Sequence, residues 1–163
     1  MLTEPKVIER APQPFAAIEL ELTQAEISQK APPLTADVIA WIEAHGGRTT
    51  GAPFFNYTDF YPNGRMKMQV GMLVATEMEG DAAITTGLLP GGRYASVTLT
   101  GPYRELMEAN MALDGWVRRQ GLRFSGEETP QGFRGATRLE IYHKDPGEEG
   151  PDTVTEVAFA LAE

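Results

Sequence analysis

Residues 15–22 alternate, with Ile18, Leu20 and Leu22 apolar and Glu19 and Glu21 charged between them. A period of two predicts a strand with one buried face, and Pro12 and Pro14 set its N-terminal limit. Pro32-Pro33 opens a helix with Thr35 as its N-cap. Val38, Ile39, Trp41 and Ile42 form the apolar stripe of that helix, and Gly46-Gly47 stops it. An aromatic, extended stretch at 53–61 and a strand at 65–74 follow, separated by the turn Pro62-Asn63-Gly64-Arg65. In the second of these, Met66, Met68, Val70 and Met72 share one face, and Lys67, Gln69 and Leu73 the other. Gly91-Gly92 breaks the chain, and β-branching predicts a strand over 93–100. Gly101-Pro102 ends it. The longest helix is predicted over 103–120, with Leu106, Met107, Met111, Leu113, Trp116 and Val117 as its apolar positions and Gly121 as its stop. Residues 125–135 read as a loop. Two strands, 137–143 and 153–162, close the chain, the first ended by Lys144-Asp145-Pro146.

The order strand, helix, strand, strand therefore occurs twice. Val38-Ile39-Ala40-Trp41-Ile42 matches Leu113-Asp114-Gly115-Trp116-Val117, and in each a glycine (Gly46, Gly121) stands five residues after the Trp. Met68-Gln69-Val70-Gly71-Met72 likewise matches Thr155-Glu156-Val157-Ala158-Phe159. A spacing of roughly 75–87 residues is too long for a solenoid unit. It predicts an α+β fold: tandem strand-helix-strand-strand modules with pseudo-twofold symmetry, an antiparallel sheet and two long helices. The first module covers about 14–76 and the second about 92–162, within a single domain over 1–163. The junction of two similar modules is a natural place for a pocket.

Composition narrows the chemistry. With 163 residues the chain fits one domain, and 42% hydrophobic residues suffice for a core. The absence of Cys excludes disulfides, Cys-zinc sites and thiol nucleophiles. The N-terminus has no signal-peptide pattern, and no run approaches the ~18 apolar residues of a membrane span. A soluble, cytoplasmic protein is the expectation. The net charge of −9, with scattered cations, argues against direct contact with nucleic acid. The densest basic run, Arg118-Arg119 with Arg123, reads as the solvated end of a helix. His45 sits at a helix C-terminus, where the dipole favours a cation, and His143 ends a strand. The two share no metal-ligand spacing, and there is no HExxH, GxSxG, phosphate loop or dinucleotide fingerprint. No metal and no cofactor are expected. The acidic run 77–81 reads as a solvated loop.

Six stretches, in order along the chain, resemble the gyrase-inhibitor-like (GyrI-like) domain, also found as the effector-binding domain of MerR-type and AraC-type regulators of bacteria. They are Glu4-Pro5-Lys6-Val7-Ile8-Glu9-Arg10; Gly51-Ala52-Pro53-Phe54-Phe55-Asn56-Tyr57; Met68-Gln69-Val70-Gly71; Leu89-Pro90-Gly91-Gly92-Arg93-Tyr94-Ala95; Gly101-Pro102-Tyr103; and Leu139-Glu140-Ile141-Tyr142 with Asp145-Pro146. The resemblance implies the same two-module fold and a stand-alone small-molecule-binding protein, since no helix-turn-helix precedes the domain. Two departures stand out. Gln69 takes the place of an acid common in the family, and Leu99 that of a His. Both imply a pocket with fewer polar groups.

Glu140 is the first candidate for chemistry. Alternation places Glu140 and Tyr142 on one strand face and Leu139 and Ile141 on the other. If Leu139 and Ile141 pack on the helices, Glu140 faces a groove or water, and periodicity leaves these open. The resemblance implies a buried acid that attracts cationic molecules. A desolvated carboxylate needs a cationic or hydrogen-bonding partner. The tyrosines Tyr57, Tyr61, Tyr94, Tyr103 and Tyr142 offer aromatic faces and phenols to such a ligand. Phe55 and Tyr57 share a strand face, as do Met66 and Met68, and these four could floor a pocket. Trp41 and Trp116 occupy matching helix positions and read as core anchors, with Trp116 also a ligand contact by resemblance. The reading is a pocket between two modules that binds an amphipathic or cationic organic molecule, for sensing or sequestration. The alternatives are a hydrolase opening reactive cyclopropane-bearing toxins, with Glu140 and Tyr142 as acid and phenol, and a gyrase-interacting protein. A homodimer or a regulatory protein partner would be compatible with either.

Overall fold

A computed structural model of the chain describes residues 1–144 and 150–163, so the Asp145-Pro146 pair lies outside the described residues. In chain order the elements are β1 (Lys6–Arg10), β2 (Gln13–Thr23), α1 (Ile27–Lys30), α2 (Leu34–Ala44), β3 (Thr49–Phe60), β4 (Arg65–Val74) and β5 (Thr85–Leu89). They continue with β6 (Gly92–Thr100), α3 (Leu106–Arg119), β7 (Glu127–Thr129), β8 (Gly132–Arg134), β9 (Arg138–Lys144) and β10 (Val154–Ala160). The main sheet runs β1-β6-β10-β9-β3-β4-β2-β5, with the β7–β8 hairpin attached to β3. Outward from the β3–β9 pair, β3, β4, β2 on one side mirror β9, β10, β6 on the other. This is the pseudo-twofold α+β arrangement that the repeat predicts.

Both long helices lie on one face of the sheet. α2 sets Val38 and Ile42 on Ala16, Met72 and Val74. α3 sets Leu106, Ala109, Leu113 and Val117 on Val97, Leu99, Val157 and Phe159. The sheet curls into a half-barrel around its opposite face, where Phe15, Phe54, Tyr94, Leu139 and Ala158 meet. Leu139, with Ile141 beside it, therefore packs inside the curl and not on the helices. The helix stops are built alike. Gly46 and Gly121 take φ of 75° and 72°, and the next residues close the helices through Gly47 N–H to Ile42 O at 2.9 Å and Leu122 N–H to Val117 O at 3.1 Å. Only glycine enters that left-handed conformation without strain, which accounts for the repeated Trp-to-Gly spacing.

Several elements differ from the pattern-based expectations. β1 and β5 are additional edge strands, too short to alternate convincingly, and a β7–β8 hairpin fills much of the expected 125–135 loop. Pro14 lies within β2, where it pairs only with the edge strand β5, so its missing N–H breaks no ladder to β4. Thr35 is inside α2 rather than its N-cap, because Pro33 already has helical dihedrals and α1 precedes it closely. A 3-10 turn at Gln24–Glu26 leads into α1, with the Glu26 carboxylate accepting from the Thr23 backbone N–H at 2.9 Å. Met107 and Met111 are 55% and 67% exposed and do not join the core of α3. Trp41 is only partly buried; its Nε1 donates to Asp81 at 2.9 Å, so the acidic 77–81 run is tied to α2 at one end.

Leu113 is fully buried at the centre of the α3–sheet contact. Leu113→Ala should destabilise the protein by about 2–5 kcal/mol through lost burial and a residual cavity. Urea unfolding checks this; a loss under about 1 kcal/mol would mean that α3 is not anchored there.

Candidate ligand-binding cavity

The cavity follows from the β3–β9 register. Phe55 pairs with Glu140, and Tyr57 with Arg138, so the side chains of two modules alternate onto one shared face. That is also the face on which the helices lie, but α2 and α3 cover the two halves and leave the seam between them open. The open strip is a cavity of about 1130 Å³. One wall is the turn into α1, with Gln24, Ile27 and Ser28, and the other is α3, with Met107, Asn110 and Met111. The floor includes Phe55, Tyr57, Met66, Glu140 and Tyr142. Drug-sized pockets span roughly 300–1,000 Å³, so the space suits a large organic ligand.

Glu140 sits at the base and is 7% exposed. Its Oε1 accepts from the Tyr57 hydroxyl at 2.9 Å and the Tyr142 hydroxyl at 2.8 Å. Its Oε2 accepts from Asn110 Nδ2 at 2.9 Å, and the same amide donates to Leu106 O at 2.8 Å, which fixes it to the helix backbone. The Tyr142 ring meets Phe55 edge-on at 4.9 Å and Tyr103 at 5.7 Å. Burial, followed by the negative charge of Glu140, pushes the Tyr57 and Tyr142 phenols well above their ordinary value of 10. Both phenols are therefore neutral donors at physiological pH, and neither is a tyrosinate base.

Of the residues singled out in the sequence, Glu140, Tyr142, Phe55, Tyr57, Met66 and Tyr103 line the cavity. Met68 is fully buried beneath the floor. Tyr61 lies at the β3–β4 turn, and Trp116 packs beside the α3 core, both away from the cavity lining. Tyr94 is on the opposite face, its hydroxyl donating to Pro90 O at 2.6 Å. The two family departures also fall elsewhere. Gln69 faces away from the helices and donates to Glu19 at 3.0 Å, while Leu99 lies under α3. Neither one reduces the polarity of this cavity, contrary to the expectation. Sequence reasoning missed Arg138 and Asn110. The alternation that pairs Glu140 with Tyr142 also puts Arg138 on the same face, and Asn110 is a polar residue within the apolar stripe of α3. Among the described residues no group of three His, Cys, Asp or Glu side chains is placed to hold a metal ion, and no helix is long and apolar enough to cross a membrane.

A two-module α+β sheet with an open apolar cavity and a few convergent polar groups suits a small-molecule-binding module. The chain belongs to the GyrI-like small molecule binding domain family, whose model matches residues 3–161. No curated protein matches it by sequence. Among solved structures, the chain resembles the EcmrR C-terminal domain with a TM-score of 0.75 at 18% identity, covering 98% of both chains. It spans 57% of the EcmrR chain in an EcmrR–DNA complex. SAV2435 bound to tetraphenylphosphonium superposes at 0.66 with 13% identity, covering 98% of this chain and 94% of that one. A hydrolase from Listeria innocua superposes at 0.55 with 12% identity, covering 98% and 92%. At such identities the likeness is one of fold.

The raised phenols make stability sensitive to alkali. The folded state holds their protons longer than the unfolded state, so their contribution is complete below about pH 10 and is lost as pH rises beyond it. Urea midpoints measured from pH 8 to 11.5 should fall above pH 10, and more gently in Tyr57→Phe/Tyr142→Phe. Parallel curves for the two proteins would refute this placement of the phenols.

Proposed function

We propose that the cavity binds an amphipathic organic cation, for sensing or sequestration. One observation carries this reading: Glu140 is buried, yet every hydrogen bond it accepts comes from a neutral donor, and among the described residues it has no ion pair. Hydrogen bonds offset part of the desolvation cost of a buried carboxylate, but they leave its charge uncompensated. A ligand cation supplies the missing charge. The rings of Phe55, Tyr57, Tyr103 and Tyr142 suit an aromatic or delocalised cation, and Met66, Met107 and Met111 can repack around different shapes. The SAV2435 complex supports the reading, because a protein of the same fold holds a lipophilic cation. EcmrR supports a sensing role, since its chain joins such a domain to a DNA complex. Sequestration needs only the domain itself.

Isothermal titration with tetraphenylphosphonium tests the proposal. This cation donates no hydrogen bond, so its dependence on Glu140 is electrostatic. Wild type should bind it, and Glu140→Gln should weaken binding by about tenfold or more, or roughly 1.4 kcal/mol. Equal affinities would rule out a charge role for Glu140.

The contact between Tyr142 and Glu140 at 2.8 Å also supports a second reading, hydrolysis of a cyclopropane-bearing toxin, with Glu140 taking a proton from water and the phenol donating one. The same variant separates the two. In a hydrolase, Glu140→Gln holds the substrate but no longer adds water to it; in a binder, affinity itself falls.

A further inference from the structure

Arg138 gives the cavity a second, half-buried charge that is poorly neutralised. Its side chain is 19% exposed, and its Nη1 reaches Asp114 Oδ2 at 3.2 Å. The other oxygen of Asp114 is held by Arg118 Nε at 2.6 Å, so Arg138 shares that carboxylate with another cation. Its Nε is buried without a hydrogen-bond partner among the described residues. The guanidinium lies over the Phe124 ring at 4.2 Å and the Phe159 ring at 4.7 Å. These rings fix its position but accept no proton from it. Burial pulls its pKa below the ordinary guanidinium value, and Asp114 offsets this only in part.

Arg138 and Glu140 stand two positions apart on one strand face, about 6.6 Å along the strand. The third charged residue of the lining, Arg104, is exposed at the rim. The cavity is thus bipolar. A simple cation attracted to Glu140 must also sit near the Arg138 charge, which repels it in a medium of reduced dielectric. A ligand that places an anionic acceptor on the Arg138 side meets both groups. We propose that Arg138 is a specificity-determining residue, and that the preferred ligands are amphipathic zwitterions: an aromatic cation bearing a carboxylate or equivalent acceptor. This proposal rests on the reading of Glu140 as the cation partner.

Rhodamine B and its ethyl ester test it, because they share the cationic xanthene and differ only in whether the carboxylate is free. Fluorescence anisotropy titrations should give wild type about tenfold or greater preference for rhodamine B over the ester. Arg138→Gln should abolish that preference, weakening rhodamine B and tightening the ester as the repelling charge goes, and the retained ester binding also shows that the variant is folded. Asp114→Asn keeps Arg138, removes its partial neutralisation, and should widen the preference. If wild type binds the ester as tightly as the acid, or if Arg138→Gln leaves the ratio unchanged, the Arg138 proposal is wrong. Loss of ester binding in Glu140→Gln would then leave the cation reading standing. Failure of wild type to bind either dye would overturn both.

Discussion

The pairing of β3 with β9 is the constraint on which the site depends. It is the seam where the two repeats meet, and its register decides which side chains share a face. Phe55 and Tyr57 come from the first repeat, and Arg138, Glu140 and Tyr142 from the second. Slipping the register by one residue would send one set into the curled interior and the other toward the helices. The interior penalises such a slip on both sides, because Phe54 and Leu139 fill it at the same seam. Thus the apolar packing on one face holds the polar arrangement on the other. The two helices complete the site by what they leave uncovered. Each packs on the strands of its own repeat, and the strip between them remains open because no helix belongs to the seam.

Within this strip, the chemistry turns on how a buried carboxylate is satisfied. Two phenols and one amide donate to Glu140, and their own anchoring matters. Asn110 is tied to the backbone of α3, and the Tyr142 ring is held between Phe55 and Tyr103. The carboxylate is therefore held in one orientation, and under the proposed function this lowers the entropic cost of binding. Preorganisation of this kind works with a mobile apolar wall. Met107 and Met111 stand one helical turn apart on the exposed lip of α3, and under the proposed function they accommodate shape while Glu140 accommodates charge.

Much of this was legible in the sequence, for identifiable reasons. Period-two alternation located β2, β4 and β9, β-branching located β6, and the repeated Trp-to-Gly spacing revealed the twofold plan through its helix stops. The edge strands β1 and β5 escaped, because edges alternate weakly and much of their stability comes from a neighbour. The same limit hid the β7–β8 hairpin. For the site, alternation told which residues share a face with Glu140 but not which face lies toward the helices. Leu139 and Ile141 look like residues for packing against a helix, yet the sheet curls and encloses them. Curvature is a property of the whole sheet, so no local pattern carries it. Met107 and Met111 fit a helical stripe as well as Leu113 does; only the open seam beside them makes them lip rather than core. Arg138 was overlooked although the rule that selected Tyr142 also selects it.

Two buried glutamates on adjacent strands provide an internal comparison that separates structure from function. Glu156 on β10 is 8% exposed, about as buried as Glu140, but it points into the opposite face. It is ion-paired with Arg10, accepts from Ser96 at 2.7 Å, and meets His143 Nε2 at 2.9 Å. Burial alone would raise its pKa, but the bonds from Arg10, His143 and Ser96 prevail and hold it below the usual carboxylate value. That acid has its cation within the fold, and the pair fastens β1 to the second repeat. Glu140 has comparable burial and, among the described residues, as many donors, yet all of these are neutral. Under the proposed function, the fold buries one glutamate with a matching arginine and leaves the charge of the other to be met by a ligand. Arg138, the nearest cation on the same strand face, is turned instead to Asp114 and the Phe124 and Phe159 rings. The cavity therefore keeps two opposite charges apart, and under the Arg138 proposal a ligand that spans them gains more than one that reaches either alone.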